Sequence, residues 1–171
     1  TLRGLNALWD AKLETEELET MAAELGSDVP FFIRGGTALC TGRGEQVSQL
    51  QSRGSFHYAI VLTGFPVSTA SVYSHCPDSL TMGEDALNNI RSGLREGNAD
   101  IVGRSLFNAL EKAAQKQAER LAELQEKVEN MVRENRSPGC LLCGSGASFF
   151  VLESGPAEAA RTAQALRDRL N

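Results

Sequence analysis

The sequence predicts an α+β chain in two parts, and three observations carry that prediction. Apolar residues recur at helical spacing over 1–9, 16–25, 99–134 and 157–170. Short β-branched and aromatic runs bounded by glycines fall within 29–50, at 57–63 and within 140–152. A polar connector, Gln51-Ser52-Arg53-Gly54-Ser55, places a boundary between 1–55 and 56–171.

In residues 1–9, Leu2, Leu5, Leu8 and Trp9 make one helical face, with only Thr1 upstream as a cap. A helix already under way at the first residue suggests a fragment of a longer protein. Leu18, Met21, Ala22 and Leu25 stripe a second helix, with Thr15 near its start and Gly26 at its stop. Ser27-Asp28-Val29-Pro30 is extended or a turn, since a residue before proline avoids the helical region. Phe31-Phe32-Ile33 reads as a buried strand. Gly35-Gly36 turns the chain into a strand at Thr37–Thr41, and Gly42-Arg43-Gly44 turns it again into a strand through Val47 and Leu50.

In the second part, His57–Thr63 is a strand, and a helix starts near Ser68 or Thr69 and carries Val72 and Tyr73. Residues 77–83 are loop, 84–96 helix, and Gly97-Asn98 a break. Over 99–134 a long helix is predicted, with Leu110, Ala114, Gln117, Leu121, Leu124, Val128 and Met131 as an a/d-like seam. The ordinary partner of such a seam is the protein's own sheet, and a coiled coil between molecules is the alternative. A hairpin at 140–152, turning at Gly144-Ser145-Gly146-Ala147, precedes a helix opened by Pro156, with Ala160, Ala163, Leu166 and Leu170 on one face. Strand, helix, helical insert, hairpin, helix is the order of a ferredoxin-like domain lacking its last strand.

Composition narrows the function. Of 171 residues, 42% are hydrophobic and 23% charged, the balance of a soluble globular protein. A net charge of −5 argues against a general nucleic-acid partner, and neither a basic stripe nor paired sheet aromatics appears. No apolar run nears the roughly 18 residues of a membrane span. Cys40, Cys76, Cys140 and Cys143 suggest no disulfide framework, which points to a reducing setting, cytoplasmic or a plastid-like stroma. Cys140-x-x-Cys143 lacks the second pair that a zinc site needs, so no metal ligands are assigned.

Five segments, in order, carry a family resemblance. Gly26-Ser27-Asp28-Val29-Pro30-Phe31-Phe32, followed by Gly36-Thr37-Ala38 and Gly42-Arg43-Gly44-Glu45, resembles the G-A-D-V-P-F-F, G-G-T-A and G-x-G-E stretch of the 4-diphosphocytidyl-2-C-methyl-D-erythritol kinases of the GHMP superfamily. Pro66-Val67-Ser68-Thr69-Ala70-Ser71-Val72-Tyr73 resembles their G-V-S-T-A-x-x-Y, and Phe107-Asn108-Ala109-Leu110-Glu111 their N-D/A-L-E. Cys143-Gly144-Ser145-Gly146-Ala147-Ser148-Phe149-Phe150 resembles the third motif, with Cys143 where the family has Ser or Thr. Thr1–Trp9 resembles the helix after the family's glycine-rich phosphate loop, a loop that this sequence does not contain.

The resemblance implies that residues 1–55 are the end of the superfamily's ATP-binding N-terminal domain and that 56–171 are its ferredoxin-like C-terminal domain. It implies ATP-dependent phosphorylation of the 2-hydroxyl of a cytidine-diphospho sugar alcohol in non-mevalonate isoprenoid synthesis. ATP and Mg2+ would be held mainly outside these 171 residues, and the chain alone is expected to be inactive. Asp28 would be the catalytic base; an aspartate bonding backbone in its own turn is the plain alternative. Tyr73 would stack on cytosine or simply pack its helix, and Thr69 would touch substrate or cap. Gly144, Ser145 and Gly146 would border the phosphates, or make an ordinary hairpin turn. Arg34 and Arg43 are further candidates for phosphate, whereas His57 and His75 have no partner nearby in sequence. Two alternatives remain: another GHMP kinase acting on homoserine, mevalonate or a sugar alcohol, and a non-catalytic module or homodimer joined through the Leu110–Met131 seam.

Overall fold

The computed structural model describes residues 1–76 and 82–170. By its internal contacts the chain divides into two compact units, Thr1–Ser52 and Arg53–Asn171. Among the described residues no helix is long and apolar enough to cross a membrane.

In the first unit, α1 (Leu2–Leu8) and α2 (Thr15–Leu25) are joined through Asn6, whose side chain donates to Leu13 O (2.9 Å) and accepts from Leu13 N (3.0 Å). Glu14, one residue before the expected cap, is the N-cap of α2 and forms a capping box with Glu17. The small core is Leu18, Ala22 and Ile33, flanked by Leu2, Leu13 and Val29. The outer half of the predicted stripes faces solvent: Leu8, Trp9 and Leu25 are at least two-thirds exposed.

Phe31-Phe32-Ile33 is not a strand. It is a short helix, α3 (Phe31–Arg34), entered from Pro30 at φ −56° and stopped by Gly35 at φ +68°. Proline's fixed φ already suits a helical turn, and three consecutive apolar residues need not alternate across a sheet. Only Ile33 is buried, whereas Phe32 is 72% exposed. Arg3 ties α1 to this turn by donating to Ile33 O (2.9 Å). The two strands that follow, β1 (Ala38–Thr41) and β2 (Gln46–Gln49), form the expected antiparallel hairpin.

The second unit is built on an antiparallel sheet of β3 (His57–Val61), β4 (Gly139–Leu142) and β5 (Phe149–Glu153), ordered β3-β5-β4. Its helices are α4 (Thr69–Ser74), α5 (Glu84–Glu96), α6 (Ala99–Arg104), α7 (Glu111–Gln117), α8 (Glu119–Asn135) and α9 (Pro156–Leu170). The period-2 rule puts Ala59, Val61, Leu142, Phe149 and Val151 on one face, and there they pack with Leu121, Val128, Met131 and Leu166 into the main core. On the opposite face, Tyr58 and Ile60 at the β3 edge are about half exposed. The expected loop at 77–81 lies outside the described residues.

The long helix predicted over 99–134 is three helices. Asn98 caps α6 by accepting from Ile101 N (3.1 Å), and α6 ends at Ser105. Residues 106–110 are not helical, and Ala118, at φ −148° and ψ 101°, separates α7 from α8. The breaks re-phase the stripe, so that Ala113 and Ala114 of α7 and Leu121 of α8 all reach the same core. A continuous helix drifts in phase along a fixed repeat and could not do this. Gln117 consequently leaves the seam for the surface and accepts from Ser71 Oγ (2.7 Å). The polar core residue is instead Gln125, bridged between Gln115 and Glu129 at 2.9 Å each. Leu121, Val128 and Met131 are buried against their own sheet, so the seam is not a free face for a second molecule. In α9, Ala160 is exposed and Thr162 takes its place on the inner side.

Cys140 of β4 belongs to this core, and burial pushes its thiol from the ordinary 9.0 up to about 12, with Glu129 and Glu111 adding to the shift and Arg133 opposing it. A thiol harder to ionise in the folded state than in the unfolded one contributes fully below the unfolded value. The contribution is lost as pH rises toward the folded one. Wild type is therefore expected to lose more stability than Cys140→Ala between about pH 8 and about pH 10.5. Urea unfolding at the two pH values measures the difference.

Candidate functional site

In the first unit the chemistry centres on Asp28. Helix α2 ends at Gly26, and Val29 N donates back to Gly26 O (3.2 Å), so Ser27-Asp28 occupies a tight turn between α2 and α3. The turn presents Asp28 to solvent at the lip of an open cleft of about 390 Å³ lined by Phe31, Phe32, Ala38, Cys40 and Gly44. Among the described residues the carboxylate has no hydrogen-bond or ion-pair partner, and in particular it accepts nothing from its own turn. The plain alternative for a turn aspartate, a bond to nearby backbone, is thus not made. Gly44 permits the arrangement. A Cβ there would stand 3.2 Å from Asp28 Oδ1 and 3.3 Å from Ser27 O, at a φ of +118°.

In the second unit the predicted residues gather around the β4–β5 turn. Ser68 is the N-cap of α4, accepting from Ser71 N (3.3 Å), so the capping role considered for Thr69 belongs to its neighbour. Thr69 Oγ1 instead lies 2.8 Å from Ser145 Oγ, joining residues 76 positions apart. Tyr73 is 61% exposed, and Val72, completely buried, is the residue that packs α4 onto the core. The tyrosine ring is therefore open to stack on a planar ligand.

Gly144 and Gly146 have φ of +56° and +95°, and the Gly146–Ala147 peptide is cis. The amide of Gly146 donates to Cys143 O (3.0 Å), closing the turn. Among the described residues the amides of Gly144 and Ser145 donate to no protein acceptor, and nothing lies within 4 Å of a Cβ placed on Gly144. Two uncommitted amides on an open turn suit an anionic oxygen.

Of the other candidates, Arg34 and His75 are already engaged. Arg34 donates to Glu16 (2.9 Å) and to Glu19, and these carboxylates hold its guanidinium still more firmly protonated, Glu19 most strongly. Arg43 is exposed next to Glu45. His57 lies opposite Glu153 in the sheet, and His75 Nδ1 lies 2.8 Å from the carbonyl of Ser71. Among the described residues no group of three or more His, Cys, Asp or Glu side chains is placed to hold a metal ion. Sequence reasoning did not identify the cleft wall of Phe31 and Phe32, because a strand was expected there in place of the helical turn α3. Nor did it reveal the contacts of Asn108, which the sequence offered only as part of the Asn108-Ala109-Leu110-Glu111 resemblance and as a polar side chain inside the apolar run 106–110, with no role attached.

No protein-family model matches the chain. Sequence relatives do: the chain is 32% identical over 167 residues to the 4-diphosphocytidyl-2-C-methyl-D-erythritol kinase of Brevibacillus brevis, an alignment covering 98% of this chain and 56% of that protein. A crystal structure of 4-(cytidine 5'-diphospho)-2C-methyl-D-erythritol kinase superposes with a TM-score of 0.74 at 30% identity, covering 96% of this chain and 57% of that one. Homoserine kinase from Cytophaga hutchinsonii superposes with a TM-score of 0.80 at 20% identity, over 96% of this chain and 56% of the other, a likeness of fold alone. The chain spans about half the length of the curated relatives it matches.

Proposed function

Because the chain belongs to the GHMP kinases, as a homologue of the 4-diphosphocytidyl-2-C-methyl-D-erythritol kinases, we propose that it forms part of an enzyme that moves the γ-phosphoryl group of ATP to the 2-hydroxyl of that cytidine-diphosphate alcohol. The step serves non-mevalonate isoprenoid synthesis in a reducing, cytoplasmic compartment, in keeping with a sequence whose four cysteines suggest no disulfide framework. The observation that carries the reading is the exposed carboxylate of Asp28, which lacks a protein partner among the described residues and overlooks a cleft.

A carboxylate placed there does two things for an alcohol. It orients the hydroxyl, and it accepts the proton as the new O–P bond forms and the bond to the ADP oxygen breaks. Tyr73 stacks on the cytosine, and Thr69 with Ser145 lines the same face of the second unit. The free amides of Gly144 and Ser145 meet phosphate oxygens. Mg2+, when bound with the nucleotide, would neutralise phosphate charge; among the described residues no group of three or more His, Cys, Asp or Glu side chains is placed to hold it.

The test is a phosphoryl-transfer assay on the enzyme that carries this chain, with the cytidine-diphosphate alcohol, homoserine and mevalonate offered side by side. ATP-dependent phosphorylation of the first, at least about tenfold faster than of the other two, is expected, since a pocket built to bond the nucleotide discriminates strongly against ligands without it. Preference for homoserine or mevalonate overturns the assignment of substrate, and the absence of all three activities overturns the kinase.

A further inference from the structure

Between α6 and α7, Asn108 uses its whole side-chain amide on one task. Its Nδ2 donates to Leu142 O (2.9 Å) and to Gly144 O (2.8 Å), and its Oδ1 accepts from Leu110 N (2.9 Å). These partners fix the orientation of the amide, since a flip would set Oδ1 against two carbonyl oxygens. No other side chain of this length supplies two N–H donors and one acceptor; aspartate keeps only the acceptor. Leu142 ends β4 and Gly144 begins the turn, so Asn108 grips the turn where it leaves the sheet.

The next residue, Ser145, is held from another direction by Thr69 Oγ1 (2.8 Å). A turn with two glycines at positive φ is soft by itself, and here two side chains from distant parts of the unit fix consecutive residues of it. Both contacts use a carbonyl or a hydroxyl of the turn and none uses the amides of Gly144 and Ser145, which stay uncommitted among the described residues.

We propose that Asn108 is a positioning residue for phosphoryl transfer: it sets the Gly144–Gly146 turn so that the free amides are held in place for an anionic oxygen. This rests on the kinase reading above. Asn108 touches no reacting atom and acts only through the turn. Precision of this kind matters because a displacement of about 1 Å costs up to roughly 100-fold in rate.

The experiment uses Asn108→Asp, which keeps the size and the acceptor, removes both donors and sets a carboxylate against two carbonyls. In the chain, the Gly146 amide is expected to exchange with solvent at least about tenfold faster than in wild type, while Val151 in the core strand changes by less than about twofold. In the enzyme, kcat is expected to fall roughly 10- to 100-fold, with KM for the acceptor alcohol kept within about threefold. Equal loss of protection at both amides overturns the proposal, because Asn108 would then be a general stabiliser. So does an unchanged kcat in an enzyme whose wild type turns over. Should the aspartate variant not fold, Asn108→Ser, with one donor for two carbonyls, is read the same way and is expected to give smaller shifts in the same direction. If the wild type phosphorylates nothing, the kinase reading falls, whereas the exchange ratio still shows whether Asn108 holds the turn.

Discussion

Replacing Asp28 by asparagine in the enzyme is expected to lower kcat by roughly 10²- to 10⁴-fold while leaving the unfolding midpoint unchanged. Each half of that expectation comes from a separate observation. The carboxylate is exposed and, among the described residues, bonds to nothing, so removing its charge breaks no contact of the fold. An aspartate kept for its turn would behave in the opposite way, with stability falling and turnover unaffected. Asparagine has nearly the same shape, so the space that the missing Cβ of Gly44 leaves beside the turn still suffices and the turn keeps its path. What is lost is the capacity to accept a proton from the alcohol. Steady-state kinetics with a urea titration on the same preparation decides the matter, and wild-type kcat in the variant removes Asp28 from its assigned role.

How far the sequence could be read depended on whether local chemistry or distant packing governs each segment. Helix α5 was legible to the residue, because its end is written in Gly97, which adopts φ +70° as a left-handed stop. The hairpins at Ala38–Gln49 and Gly139–Glu153 were legible because glycines mark their turns. The three helices between Ala99 and Asn135 were not, since no proline or glycine stands at Ala118 to announce the break. That break exists because α7 and α8 must both face one sheet, which is a property of the assembled unit.

The same division runs through the site. Asp28 stood out through its place in the Gly26–Phe32 motif and the resemblance it carries, since a turn aspartate near a proline is by itself an ordinary pattern. The Thr69–Ser145 pair and the grip of Asn108 on Leu142 and Gly144 join residues separated by 76, 34 and 36 positions, and nothing local encodes them. Phe31-Phe32 shows the reverse: composition favoured a strand, but the dihedral set by Pro30 had already chosen a helical turn that exposes Phe32.

Gly103→Ala is expected to be the most damaging small change in the second unit. Helix α6 crosses β4 backbone to backbone on the face that carries Gly139 and Leu152. A Cβ on Gly103 would stand 2.3 Å from Pro138 O and 2.9 Å from Gly139 N, and one on Gly139 would stand 2.6 Å from Gly103 O. No flexible side chain is there to move aside, so the helix and the strand must separate. Alanine gains up to about 1 kcal/mol over glycine in a helix interior. Overpacking costs about 1–3 kcal/mol and more when backbone must shift, so clash wins. A net loss of about 2 kcal/mol is expected, equivalent to roughly 5–10 °C in Tm for a unit of this size.

Gly4→Ala in α1 is the control, since nothing lies within 4 Å of a Cβ at that position. There the same substitution is expected to be neutral or to stabilise by up to about 1 kcal/mol. The damage at Gly103 also has a route to the site. The strand it displaces at Gly139 ends at Leu142, whose carbonyl Asn108 holds, so faster exchange of the Gly146 amide should accompany the drop in Tm. Thermal unfolding of the two variants beside wild type decides it. An equal Tm for Gly103→Ala and wild type would mean that α6 and β4 do not approach this closely in solution.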